Sequence, residues 1–127
     1  MIHIKVVTPR GTYLESDVDS VHMKTVVGEI TLLPNHTPLF AALVPCRLDL
    51  KQEDPYALAG GFTKFEKDRC LILTDAIEGR KDIDIERARQ AAKRAQDRLD
   101  KKDPKTNMQR AQLALARAIN RISVYGG

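Results

Sequence analysis

Arg87, Arg94 and Arg98 recur at i, i+7 and i+11 in the stretch from Lys81 to Arg98. On a helix that spacing puts three guanidinium groups on one face. Further on, Arg117 and Arg121 stand one helical turn apart. Guanidinium groups donate paired hydrogen bonds to phosphate oxygens, so a polyphosphate is a natural occupant where they converge. Asp84 can cap a helix through its side-chain oxygen, with Ile83 before the cap and Ala88 at the fourth helical position, the geometry of a hydrophobic staple. Glu86 falls in the first turn, where the helix dipole favours an anion. These residues support two readings: a well-made helix start with a solvated basic face, and an anion site.

Other chemistries lack their residues. Gly60-Gly61 is followed by Phe62-Thr63-Lys64, which is no phosphate loop of the Gly-x-x-x-x-Gly-Lys-Ser/Thr kind. Position suggests no Ser/His/Asp or Cys/His grouping, and Asp17, Asp19 and Asp49 read as solvent-facing strand or turn residues. No catalytic residue is assigned and no intrinsic ATPase is expected. His3, His22 and His36 have neither the spacing nor the company of a metal site, so no metal is expected. Cys46 and Cys70 are isolated in apolar, strand-like contexts and read as two buried free thiols in a reducing compartment.

A chain of 127 residues makes one domain, or one small domain with an appendage. No apolar run approaches the ~18 to 20 residues that span a bilayer, and MIHIKVVTPRG lacks the layout of a signal peptide. A cytosolic protein is expected, reaching a membrane only through a partner. The net charge of +4 hides an asymmetry. Residues 1–79 hold 8 Lys/Arg against 11 Asp/Glu, and residues 80–127 hold 13 against 6. A basic tail raises the idea of a nucleic-acid-binding module. The acidic first part, the lack of aromatics among the basic residues and the lack of a reader motif argue against it.

These residues need elements to position them. Ile2, Ile4 and Val6 alternate with polar neighbours until Pro9-Arg10-Gly11 breaks the run. Strands are expected around Val18–Met23, over Ile30–Leu33, Leu39–Val44, Arg47–Leu50 and Tyr56–Leu58, and over Cys70–Leu73, with turns at Gly28-Glu29, Pro34–Pro38, Asp54-Pro55 and Gly60-Gly61. Such short, closely spaced strands suggest an antiparallel β-sandwich or small barrel. After Gly79 the period changes. Ala88, Ala91, Ala92, Ala95 and Leu99 follow helical spacing, as do Ala111, Ala114, Leu115, Ala118 and Ile122. Between them Asp103 reads as an N-cap and Pro104 as a first helical residue, the connection of a helical hairpin. The fold class is α+β: a sandwich over 1–79, then a two-helix antiparallel hairpin over 80–127. Folding the hairpin there brings Asp84 and Arg87 near Arg117 and Arg121. An alanine seam buries only about one methyl per residue, ~0.8 kcal/mol each. Strong helix formers would keep each helix intact when parted.

The chain resembles the epsilon subunit of the F-type ATP synthase over essentially its whole length. The resemblance rests on Gly28-Glu29-Ile30-Thr31-Leu32-Leu33-Pro34-Asn35-His36-Thr37-Pro38-Leu39, then Ala59-Gly60-Gly61-Phe62, then Ile83-Asp84-x-x-Arg87-Ala88, and Arg117-Ala118-x-x-Arg121. Thr31 and Asn35 stand where glycines are usual. The resemblance implies a non-catalytic rotor subunit whose sandwich binds the gamma subunit and rests on the c-ring of a proton- or sodium-translocating enzyme. It implies one copy per complex, a monomer when isolated, at the cytoplasmic face of the bacterial membrane and peripheral to it. Glu29 and His36 become candidate c-ring contacts. The hairpin would lie folded on the sandwich or extend along gamma into the alpha/beta catalytic head and block ATP hydrolysis. Two helices of about 18 residues placed end to end reach ~50 Å. ATP, with or without Mg, is implied as a regulatory ligand of the folded hairpin. Ile83 and Ala88 would pack on the adenine, with Glu78 near its amino group. Arg87, Arg94, Arg117 and Arg121 would meet the phosphates or stabilise that arrangement, and Asp84 would cap the helix and orient Arg87.

Overall fold

A computed structural model describes residues 1–51, 54–101, 105 and 107–126. Ten strands come first: β1 (Ile2–Thr8), β2 (Gly11–Val18), β3 (Val21–Thr25), β4 (Gly28–Leu32), β5 (Leu39–Leu43), β6 (Cys46–Leu48), β7 (Tyr56–Leu58), β8 (Gly61–Glu66), β9 (Arg69–Leu73) and β10 (Ile77–Gly79). A 3-10 turn at Arg80–Asp82 leads to α1 (Ile85–Lys101) and α2 (Met108–Gly126). Seven strands form one sheet in the order β2-β1-β9-β8-β5-β3-β4, and β10-β7-β6 form a second. Pairing is antiparallel except between β1 and β9, which run parallel, so the expected antiparallel sandwich contains one parallel seam.

The core follows from period-two alternation. Ile2, Ile4 and Val6 are fully buried in one core cluster with Val21, Met23, Phe65 and Ile72 of the same sheet and Leu48 of the second, while their odd-numbered neighbours point outward. The β3–β4 turn falls at Val26-Val27 instead of Gly28-Glu29, because Thr25 Oγ1 closes it by donating to Gly28 O at 2.9 Å and accepting from Val27 N–H. Gly28 and Glu29 thereby become the start of β4. Gly61 likewise opens a strand instead of breaking one. Its φ is +131°, and a Cβ there would overlap the Leu73 carbonyl oxygen, so only glycine lets β8 pass β9 at that point. Asn35 takes a left-handed turn at φ 70° and Thr31 an ordinary strand backbone.

The helices pack chiefly on one another through Ala88, Ala95, Ala111 and Ala118, all buried. Ala114, expected in the seam, is exposed. Asp84 caps α1, its Oδ1 accepting from Arg87 N–H at 3.1 Å. The connection expected at Asp103-Pro104 lies outside the described residues. The cap of α2 is Asn107, whose Oδ1 accepts from Arg110 N–H at 3.0 Å, so α2 begins at Met108.

Candidate functional site

The open end of the hairpin lies on the outer face of the three-stranded sheet, and α2 makes most of the contact. Tight burial there is confined to Ile83, Ala57 of β7 and Val124 of α2, which cluster together. The rest is polar and directional. Arg117 Nε donates to Ala59 O at 3.1 Å, and Asn120 Nδ2 donates to Cys46 O at 2.8 Å and Leu58 O at 3.2 Å. From the other side, Arg47 Nη2 donates to Ser123 O at 3.0 Å and Arg80 Nε to Val124 O at 2.9 Å. Arg121 Nε lies 2.6 Å from Glu78 Oε1, a charge-assisted bond between α2 and β10. Most of these bonds end on backbone carbonyls at the ends of strands and of α2.

Among the residues singled out by sequence, Glu78, Arg117 and Arg121 come together, with Ile83 at the neighbouring cluster. Ile83 packs on Val124 and Ala57, and it and Ala88 are both buried by protein. The cluster around Ile83 is thus completed by a residue from the far end of α2 and one from β7. Arg87 and Arg94 sit exposed on α1, and Arg94 Nε reaches only Gln90 O of its own helix, at 3.4 Å. Among the described residues no hydrogen bond or ion pair joins them to Glu78, Arg117 or Arg121. The space left between Glu78, Arg117, Asn120 and Arg121 is about 10 Å³, room for one water at most. In this conformation the converging cations are satisfied by the sandwich itself.

Arg47, Arg80, Asn120 and Val124 were missed by sequence reasoning. Arg47 alternates with Cys46 and Leu48 and so had to face outward, but nothing local says that a helix end lies there. Glu29, one residue into β4, stands 3.7 Å from His22 Nε2, and His36 lies in the turn beyond the other end of that strand, its ring edge-on to Phe65. Burial pushes the Cys46 thiol up and the Cys70 thiol up to about 11, which keeps both protonated. Among the described residues no group of three or more His, Cys, Asp or Glu could hold a metal ion, and no helix is long and apolar enough to cross a membrane.

A second surface lies on the outer face of the seven-stranded sheet. Phe40 and Phe62 stack there with centroids 6.0 Å apart, 71% and 50% exposed, beside half-exposed Leu73. A water-facing aromatic stack on a rigid sheet is a common mark of a protein contact.

Comparison with known proteins addresses both halves. A family model described as ATP synthase, Delta/Epsilon chain, beta-sandwich domain matches residues 1–80, and that of the long alpha-helix domain matches residues 81–126. The chain is 45% identical to the ATP synthase epsilon chain of Halalkalibacterium halodurans, covering 98% of this chain and 97% of that one. Identity to the epsilon chain of Bacillus velezensis is 39%, with the same coverage of each. A chain in the Euglena gracilis mitochondrial ATP synthase structure, OSCP/F1/c-ring in rotational state 1, superposes with a TM-score of 0.81 at 21% identity. That match covers 94% of this chain and 78% of that one, a likeness of fold.

Proposed function

This chain belongs to the family of ATP synthase delta/epsilon chains, and on that premise we propose that it is the epsilon subunit of a bacterial F-type ATP synthase. It is a non-catalytic part of the central stalk, peripheral to the membrane at its cytoplasmic face. The sandwich binds the gamma subunit and rests on the c-ring of a proton- or sodium-translocating motor, and the hairpin restrains ATP hydrolysis by extending into the alpha/beta head. The observation that carries this reading is how the hairpin is held. Its seam is alanine, and where it meets the sandwich a small apolar cluster of Ala57, Ile83 and Val124 stands beside several polar bonds. Such bonds can be exchanged for water at small net cost, about 1 kcal/mol each, whereas a leucine-packed interface could not part so easily. The support for gamma as the partner of the sandwich is the exposed Phe40–Phe62 stack.

ATP acts on this equilibrium as a regulatory ligand of the folded form. Because Arg121 is paired with Glu78, that pair must open before a phosphate can take the guanidinium and Glu78 can meet an adenine amino group. Arg117 and Arg87 are the further phosphate partners, Arg94 steadies them, and Asp84 holds the turn. A ligand shifts a two-state element only by its unequal affinity for the two states. Calorimetric titration of the full chain with ATP, beside the Arg117→Ala/Arg121→Ala variant, tests the sensing step. Saturable one-to-one binding, lost in the variant, is expected, and no binding at millimolar ATP would remove it. The inhibitory role is tested separately, by ATP hydrolysis of the assembled alpha-beta-gamma complex with the full chain or with a chain ending at Asp82. Equal rates in the two would overturn it.

A further inference from the structure

The last four carbonyls of an α-helix have no partner within it, and the partial negative charge there is relieved by a cation. In α2, bounded at Gly126, those carbonyls include Ser123 and Val124, and the helix has no basic residue in its own last turn. Both carbonyls are nonetheless capped, by two sandwich-side arginines from separate elements. Arg47 of β6 donates to Ser123 O at 3.0 Å. Arg80, in the turn after β10, donates to Val124 O at 2.9 Å, and its Nη1 lies 3.3 Å from Asp54 Oδ1, which steadies the guanidinium.

The composition of α2 changes along its length. Met108–Ala118 is rich in Ala, Leu, Gln and Arg, all strong helix formers. Ile122-Ser123-Val124-Tyr125-Gly126 consists of β-branched, hydroxyl, aromatic and glycine residues, all weaker ones. Val124 is nevertheless fully buried, against Ile83 and Ala57. The final turn therefore owes its acceptors' partners and its apolar contact to docking.

We propose that Arg47 and Arg80 cap α2 in trans, so that its last turn is formed only while the hairpin lies on the sandwich. Undocking and fraying of the C-terminal turn are then one equilibrium. The first part of α2 stays helical when released, and the segment after Ile122 does not. The regulatory consequence, an extended hairpin with a frayed tip, rests on the function proposed above; the capping itself does not.

The test is amide hydrogen exchange on the full chain and on two variants, Arg47→Ala/Arg80→Ala and Asp54→Asn. In the double variant, protection of the Ser123, Val124 and Tyr125 amides should fall by about ten- to a hundredfold. Asp54→Asn should give a smaller fall at the same amides, and β1 and β9 should be unchanged in both. Unchanged protection at Ser123–Tyr125 in the double variant would overturn the proposal. An equal loss over β1 and β9 would overturn it too, since the arginines would then support the whole fold. Frayed amides combined with unaltered inhibition of hydrolysis in the assembled enzyme would uphold the capping and count against the regulatory reading.

Discussion

At His3 both ring nitrogens face carboxylates, Nε2 at 2.7 Å from Glu15 and Nδ1 at 2.9 Å from Asp17, and a neutral imidazole can donate from only one of them. The pair therefore favours the imidazolium. The hydrogen bond to Glu15, then that to Asp17, raises the His3 pKa above its ordinary 6.5, and the bond to His3 lowers that of Glu15 below 4.5. The His3 contribution is fully present below pH 6.5 and is lost as pH rises through its raised value. The Glu15 contribution is present above pH 4.5 and is lost as pH falls through its lowered value. Melting temperatures of the protein and of His3→Gln between pH 5 and 9 should differ by a few degrees at most, and the difference should close toward the alkaline end. A gap that widened there would contradict the assignment. Cys46 and Cys70 make a second prediction at this scale. Held protonated by burial, they should react with a thiol reagent in the native state far more slowly than a free thiol and at ordinary rates once unfolded. Sequence alone identified both cysteines as buried, since each sits in an apolar run. It could not find the His3 clip, because Glu15 and Asp17 lie on a strand whose partner only the register reveals.

At the scale of elements, what was legible depended on which side of an element is wet. Strand β1 and both helices announced themselves through clean periods of 2 and 3.6. Strand β2 did not, because it is an edge strand with Gly11, Thr12, Tyr13, Glu15 and Asp17 all exposed. Strand β8 was hidden by its opening glycine and by Phe62 pointing outward, and β10 by its length of three residues. The arginines of the candidate site were legible as a group but their partners were not, because Ala59 O, Glu78 and the end of α2 meet only in the fold. Two substitutions separate the halves. Val124→Ala should weaken hairpin docking by about 2 kcal/mol, read as earlier proteolysis or faster exchange in α2 while sandwich melting is hardly moved. Gly61→Ala should do the reverse. It should lower sandwich stability by at least ~1 to 3 kcal/mol, because its backbone conformation and the approach of Leu73 both exclude a side chain. A Val124→Ala variant that melted the sandwich early would mean that the two halves unfold as one unit.

For the whole molecule, the charge asymmetry of the sequence becomes a spatial one. An acidic sandwich carries a hairpin whose free face presents Arg87, Arg89, Lys93, Arg94 and Arg98 to solvent. The apolar sheet face with Phe40 and Phe62 is the other large surface feature, and removing it should cost partner binding and little stability. On the function proposed above, Phe40→Ser/Phe62→Ser should weaken association with the gamma subunit by roughly ten- to a hundredfold, with the melting temperature unchanged. Titration calorimetry or co-purification would show it, and undiminished binding would place the gamma contact elsewhere.

The way the hairpin is held also has a thermal consequence. Unfolding the sandwich exposes a continuous apolar core and so carries a large heat-capacity increment, which curves its stability with temperature. Parting α2 from the sandwich uncovers little beyond Ile83, Ala57 and Val124. Its heat-capacity change is correspondingly small, and the docking free energy should run nearly straight with temperature. The same chain thus joins a body whose stability bends with heat and cold to an arm whose balance does not. Across the range over which the body stays folded, the arm's readiness to move drifts steadily in one direction at a rate set by its docking enthalpy and does not turn back in the cold.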